Sequence, residues 1–354
     1  MAKGAGMGSK LAIVRNPNAW GTPATANVAN AAIDYLSEDM GFAVPEFIDD
    51  ASVSRSWAGD PIRGNISVSG SLRTYLRYAS CEYLLAAPLG LSVASLVVAG
   101  ATRHKYTYTS NIYGTNATLA IDKGVSVHEY PSAKFGGLTI TGQAGRPTEM
   151  QARVMANNVV VPAGAKNASL ASATYRSQGL HVLWAEQSLL VAAKAGAAPT
   201  SGTDRYEPSS WELTYDKPIA QHWTMNNSAE MIEPILDGPP TASLRLTFPR
   251  YATAPAGTPG NTFAVWGKAN TALKLWLRAV GPTITGTTRH RFDLYAPNVF
   301  VANVVSNIAG PAAIPQEVTL RMQSTPSVPT GLPAWIGAGG FSIALTTAMA
   351  TAPL

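Results

Sequence analysis

Two segments of the chain read almost alike, Thr102-Arg103-His104-Lys105-Tyr106 and Thr288-Arg289-His290-Arg291-Phe292. A repeat set about half a chain apart demands an architecture that can be built twice. Ile66-Ser67-Val68-Ser69-Gly70-Ser71-Leu72 precedes the first copy, and Ala242-Ser243-Leu244-Arg245-Leu246-Thr247-Phe248 precedes the second, each with strand alternation. Glu149-Met150-Gln151-Ala152-Arg153-Val154-Met155 and Glu317-Val318-Thr319-Leu320-Arg321-Met322 follow them in the same order. The three ordered matches read as a tandem duplication of a β module.

Length agrees, since 354 residues accommodate about two domains. Only 13% of residues are charged, while Gly, Pro, Ser and Thr abound, as in a β-rich protein with many turns. So uncharged an exterior fits either ordinary Ser, Thr and Asn cover or large areas buried between subunits. The net charge of +5 has no Lys or Arg run behind it and is too dilute for a nucleic-acid footprint. The apolar runs Leu91 to Ala101 and Phe341 to Leu345 are too short to cross a bilayer, so no membrane insertion is expected. The N-terminus lacks a signal-peptide pattern, and the single cysteine, Cys81, fits a reducing compartment as a buried thiol. A soluble intracellular product is the expectation.

Along the chain, residues 1–60 look irregular around Trp20, Phe42, Phe47 and Trp57, and a segment of that length reads as an interaction arm. Three- and four-residue spacing predicts a helix over Thr74 to Ala87, stopped by Pro88. Strands are predicted at 104–110, 116–122, 137–142, 149–156, 210–215, 242–248, 273–278, 289–295, 299–305, 317–322 and 341–347. His181 to Ala193 stays open between strand and helix, and Ala195 to Thr203 reads as a linker or exposed loop. The division that results is an arm at 1–60, a first module at 61–205 and a second at 206–354.

Signatures of catalysis are missing from the sequence. His104, His128, His181, His222 and His290 stand in no metal-ligand spacing with one another or with Cys81. No Gly-x-Ser-x-Gly elbow occurs, and the N-terminal glycines do not reproduce a phosphate loop. Asp49-Asp50 and Glu230 with Glu233 read as solvated carboxylates, so no catalytic, metal or cofactor residue is assigned. Arg103, Lys105, Arg289 and Arg291 form the repeated basic clusters. They read either as contacts to phosphate or an acidic neighbour, or as charged strand entries at a sandwich rim.

Trp20-Gly21-Thr22-Pro23, the Gly64-to-Leu72 strand running toward Tyr83-Leu84-Leu85, Trp211-Glu212-Leu213-Thr214-Tyr215-Asp216, Glu233-Pro234 and the Ala242-to-Phe248 strand together resemble the tail tube (major tail) proteins of long-tailed, non-contractile bacteriophages, over residues 11–325. The departure is length, since many such proteins carry one module. The resemblance implies a mainly β fold, two tandem β-sandwich or barrel modules each with a flanking helix, plus the long arm and loops. It further implies a structural virion protein, in the host cytoplasm before assembly, that stacks as rings into a tube through which the genome passes. Implied partners are copies of itself, tape measure protein, tail tip and terminator proteins, and double-stranded DNA in passage only.

Two modules per chain predict a homotrimeric ring with pseudo-sixfold symmetry. Trp20, Trp57, Arg103, Lys105, Arg289 and Arg291 are the expected subunit contacts, with Asp49, Asp50, Glu230 and Glu233 as acidic counterparts. The lumen is expected to be neutral or acidic, because a basic lining would hold DNA by its phosphates. Deleting residues 1–45 is expected to leave a folded, soluble chain unable to polymerise. Rival classes are another virion β-sandwich, such as a capsid decoration or distal tail protein, separated by whether assemblies stack indefinitely, and a glycan-binding or glycan-processing jelly roll, separated by glycan binding.

Overall fold

Alternating apolar and polar residues, broken by Gly, Pro and Asn, give this chain antiparallel strands with one buried side. A computed structural model describes residues 8–48, 60–90, 93–110, 112–176, 179–252, 257–308, 313–337 and 339–348. The longer elements are β1 (Leu11–Asn16), β2 (Ser67–Tyr75), α1 (Glu82–Leu89), β3 (Val93–Val98), β4 (Ala101–Thr107), β5 (Asn116–Asp122), β6 (Val127–Gln143) and β7 (Glu149–Ala156). They continue with β8 (Gln187–Ala193), β9 (Ser210–Asp216), β10 (Thr241–Phe248), α2 (Thr262–Lys268), β11 (Leu273–Thr285), β12 (Thr288–Val305), β13 (Gln316–Met322) and β14 (Ser342–Thr347). Short strands lie at Ser37–Glu38, Gly41–Ala43, Glu46–Phe47 and Ile62–Arg63.

One long antiparallel sheet starts from the Ser37–Glu38 and Gly41–Ala43 edge. It runs through β2, β7, the second half of β6, β9, β10 and β13 to the second half of β12. The first half of β6 leaves this sheet to pair with β5, which pairs with β1. The first half of β12 lies between β11 and β14, extended by β8 on one side and by β4 and β3 on the other. Inward side chains from all these layers, Leu72, Leu119, Ile140, Leu277, Phe292 and Ile343 among them, join one hydrophobic core. The fold is mainly β, as expected, with α1 against β6 and α2 against β12.

Both long strands change sheets at a proline. The β5–β6 register shifts between Leu119↔Tyr130 and Ala117↔Ala133, at Pro131, and the β11–β12 register shifts between Leu275↔Ala296 and Leu273↔Val299, at Pro297. A residue without an N–H fits a ladder only at such a bulge, and the bulge bends the strand toward its second set of partners. For this reason the runs at 289–295 and 299–305, separate in the sequence reading, are one strand.

Two of the three sequence matches occupy equivalent places. β2 pairs with β7 and β7 with β6, as β10 pairs with β13 and β13 with β12. Arg73 and Glu149 form an ion pair, and so do Arg245 and Glu317 at 2.6 Å. The third match is not equivalent. β4 and the first half of β12 flank the same strand, β14, so that Arg103 and Arg291 both face Thr346. No gap in hydrogen bonding separates residues 61–205 from 206–354, since β6 pairs with β9, β8 with β11 and β4 with β14.

Other expectations need correction. The helix predicted over 74–87 is α1 at Glu82–Leu89, because β2 runs to Tyr75 and Ser80 turns the chain at φ 76°. All of α1 is buried, so its apolar residues carry no facial period, and Pro88 is accommodated in its last turn before the left-handed Gly90 at φ 93°. His181 to Ala193 resolves as a 3-10 turn at Trp184–Glu186 followed by β8. Residues 1–60 are not uniformly irregular either, because β1 is a sheet strand whose Leu11, Ala12 and Ile13 have no solvent exposure.

Cys81 is the buried thiol expected, pushed up to about 12 by desolvation. Lys217, just after β9, lies buried with its ammonium 3.4 Å from the Ala87 carbonyl at the end of α1. Desolvation, with a smaller contribution from Lys134, lowers it from lysine's ordinary 10.5 to about 7. Between those values the unfolded chain binds more protons, so stability falls as pH drops from about 10.5 to about 7 and is flat below. Lys217→Met is therefore expected to raise the melting temperature, by more at pH 6 than at pH 9. Equal shifts at the two pH values in calorimetry would contradict this account.

Candidate functional site

The long sheet buries one face and presents the other. On β2, β7, β9, β10 and β13 the inward positions are Leu, Val, Ala, Met, Phe, Tyr, Trp, Thr, Gly and the buried Gln316, while the outward ones are Ser, Thr, Gln151, Glu, Asp, Arg, Tyr75 and Met155. The charged side chains at outward positions of these five strands are Arg73, Arg153, Arg245 and Arg321 against Glu149, Glu212, Asp216 and Glu317. Four cations and four anions leave them balanced, and Asp39 on the edge turn adds one more anion.

The balance is local as well as global. Arg73 pairs with Glu149, Arg153 with Asp216 and Arg245 with Glu317. Gly137 makes room for the Arg153 guanidinium, which lies where a Cβ would stand and donates to the Gly136 carbonyl at 3.1 Å. Gln151 donates to Ser71 at 2.8 Å, and the Ser71 hydroxyl donates to Asp39 at 3.1 Å. Exposed pairs of this kind contribute only ~0–1 kcal/mol each to stability. Their consequence is electrostatic: each arginine so paired has its charge cancelled within a few ångströms, which leaves a polar face with little net field.

The two ends of this sheet are open among the described residues. Beyond β13, residues 300–305 of β12 have no strand on their other side, and neither do Ser37–Glu38 and Gly41–Ala43 beyond β2. Next to the second edge, Glu46–Phe47 and Ile62–Arg63 form a two-stranded ribbon. Phe42, Phe47 and Ile62 are each 63% exposed, and Ile48 stands beside them at 59%. An apolar cluster of this kind at a sheet edge marks an interaction surface.

The residues singled out from the sequence lie elsewhere. Arg103 donates to Thr346 at 3.3 Å, Lys105 stands over the Trp335 ring at 5.4 Å, and Arg291 pairs with Asp293 at 3.1 Å. Arg289 is exposed at the start of β12. Folding brings the two basic clusters to either side of β14, which puts their strands about 10 Å apart. Trp20 packs within its own chain, donating to the Met231 carbonyl at 2.9 Å beneath Lys134, while Trp57 lies outside the described residues.

Of the acidic counterparts, Glu230 accepts from Asn157 and Asn158, and Glu233 pairs with buried Lys134 at 2.6 Å, so both are engaged internally. Asp49 and Asp50 lie outside the described residues. The Arg–Glu pairs of the polar face were missed, although the shared Ser-Leu-Arg of 71–73 and 243–245 and the shared glutamates 149 and 317 were their visible signal.

No helix among the described residues is long and apolar enough to cross a membrane. The family described as phage tail tube protein matches residues 8–322, nearly the whole chain. No curated protein matches it.

Proposed function

The chain belongs to the phage tail tube protein family, a structural component of the virion tail, and from that premise we propose that it closes into rings of three chains that stack into the tube for genome delivery. The observation that carries this reading is the charge-cancelled polar face. Duplex DNA carries about one negative charge per 1.7 Å, so a conduit must offer it neither a basic lining that traps it nor a large apolar one. With three of the four arginines ion-paired and as many carboxylates as arginines on the five strands, this face is suited to line the lumen.

The basic clusters around Arg103, Lys105, Arg289 and Arg291 then belong away from the lumen, on the outside or between subunits. The apolar ribbon at Phe47 and Ile62 serves as the assembly arm. Tape measure, terminator and tip proteins complete the partners, and the role is architectural, without catalysis. Negative-stain microscopy of the purified chain tests the tube, and native mass measurement of a single ring tests the stoichiometry. Monomers at every concentration refute the first, and six whole chains per ring refute the second.

A further inference from the structure

The charge balance of the long sheet has no counterpart on the sheet built from β8, β11, the first half of β12, β14, β4 and β3. There Arg103 and Lys105 of β4, Arg291 and Asp293 of β12 and Arg278 of β11 point away from the core, because the residues that alternate with them, Tyr106, Phe292 and Leu277 among them, point into it. Register sets Lys105, Ala344, Asp293 and Arg278 side by side in one row, with Arg103, Thr346 and Arg291 in the next. Lys274 on β11 is buried and donates to the Gly196 and Thr330 carbonyls, so its charge is already engaged. Four cations remain against the one carboxylate of Asp293, which leaves three positive charges uncompensated.

Aromatic rings hold these cations in place. The Arg278 guanidinium lies 5.0 Å from the centre of the Trp276 ring and that of Arg291 5.9 Å from it, while the Lys105 ammonium stands over Trp335 at 5.4 Å. Tyr295 joins the two indoles, stacked on Trp276 at 5.5 Å and edge-on to Trp335 at 5.7 Å. One oxygen of Asp293 accepts from Trp276 at 2.9 Å and from Arg291 at 3.1 Å. Arg103 and Arg278 donate to hydroxyls, Thr346 at 3.3 Å and Ser188 at 3.0 Å, and among the described residues no carboxylate pairs with either of them or with Lys105. Two buried donors, Nε of Arg291 and Nε1 of Trp335, have no acceptor, although such groups are normally satisfied. Burial raises the Tyr295 hydroxyl above its usual range, Asp293 adds to this, and Arg291, Arg103 and Arg278 oppose it, so three guanidinium groups act on one point.

We propose that this cluster binds a phosphate group carrying more than one negative charge, as a phosphate monoester or a diphosphate does, through Arg103, Lys105, Arg278 and Arg291. The site goes beyond the tube reading and does not depend on it. Like charges held on neighbouring strands destabilise a sheet, and an anion placed among them removes that cost. Charge then selects the anion, since a carboxylate or a phosphodiester brings one negative charge while a phosphate monoester brings about 1.5 to 2 near neutral pH. Shape agrees with charge. Guanidinium forks match phosphate oxygens two at a time, and stacking on Trp276 fixes two of the forks before the ligand arrives.

The test is titration of the full chain with pyrophosphate at constant ionic strength, followed by calorimetry and by tryptophan fluorescence. Saturable binding is expected, with a change in emission from Trp276 and Trp335, and dimethyl phosphate, which carries a single charge, is expected to bind about tenfold more weakly or worse. Arg103→Gln with Lys105→Gln should weaken pyrophosphate binding by about tenfold or more. Arg278→Gln should weaken it several-fold, and because it leaves β4 untouched it decides the matter if the double variant does not fold. Arg321→Gln, which removes an exposed arginine of the long sheet, should change nothing. Absence of saturable binding, equal binding of dimethyl phosphate, or an equal loss on Arg321→Gln overturns the site. Tubes that form from a chain with no affinity for pyrophosphate overturn it too and leave the tube reading standing.

Discussion

Removal of residues 1–45 is expected to unfold the chain rather than to release a soluble, assembly-dead monomer. The truncation takes away β1, whose six residues pair with β5 along its whole length, and with it Leu11 and Ile13, both fully buried. It also removes Ile33 and Met40 from the same core, together with the strand edge that covers β2. Four buried side chains of this size stabilise by roughly 1.5–3 kcal/mol each. Native domains hold only about 5–15 kcal/mol in total, so the loss is of the same order as the whole stability. Thermal melts followed by circular dichroism should show no cooperative transition, and the product should aggregate. A truncated chain that melts cooperatively and runs as a monomer would vindicate the sequence-based expectation instead.

Neutralising the acidic members of the polar face is expected to convert a conduit into a DNA trap. Glu149→Gln, Glu212→Gln and Glu317→Gln together leave Arg73, Arg153, Arg245 and Arg321 against Asp216 and Asp39. The fold should survive, since exposed pairs contribute only ~0–1 kcal/mol each. In a three-chain ring, however, nine carboxylates disappear from the lining. Tubes of the variant should retain duplex DNA at low salt, with affinity falling about 10³-fold or more between 50 and 200 mM if six or more phosphates are engaged. Tubes of the unsubstituted chain should retain little at either salt. Filter retention of labelled duplex across a salt series reads the difference, and equal, weak retention by both would show that this face does not meet DNA.

Period-two alternation put β7, β9, β10 and β13 in the sequence within a residue or so of their ends. That pattern is legible because each of these strands has one wet and one dry side, so local chemistry records the geometry. Two of the three matches from which the duplication was read, 66–72 with 242–248 and 149–155 with 317–322, were legible for the same reason. Where both sides of a segment are buried the record is blank. α1 is dry all round, and β1 is a short apolar run whose partner lies more than a hundred residues away, so neither helix limits nor arm could be drawn.

Pairing was decided by tertiary structure alone. Nothing local says that Arg103 and Arg291 flank one strand, or that Glu233 neutralises buried Lys134. The similarity of Thr102-to-Tyr106 and Thr288-to-Phe292 marked two strands of like composition, not two equivalent positions. Equivalence resides in hydrogen-bond register, and register is fixed by which strands meet, with Pro131 and Pro297 bending each long strand across two sheets. By itself the sequence determined a duplicated β protein of low charge; only the assembled sheet decided which face is polar, how its charges cancel and which two edges stay open, because those properties belong to neighbours in space and not to neighbours in the chain.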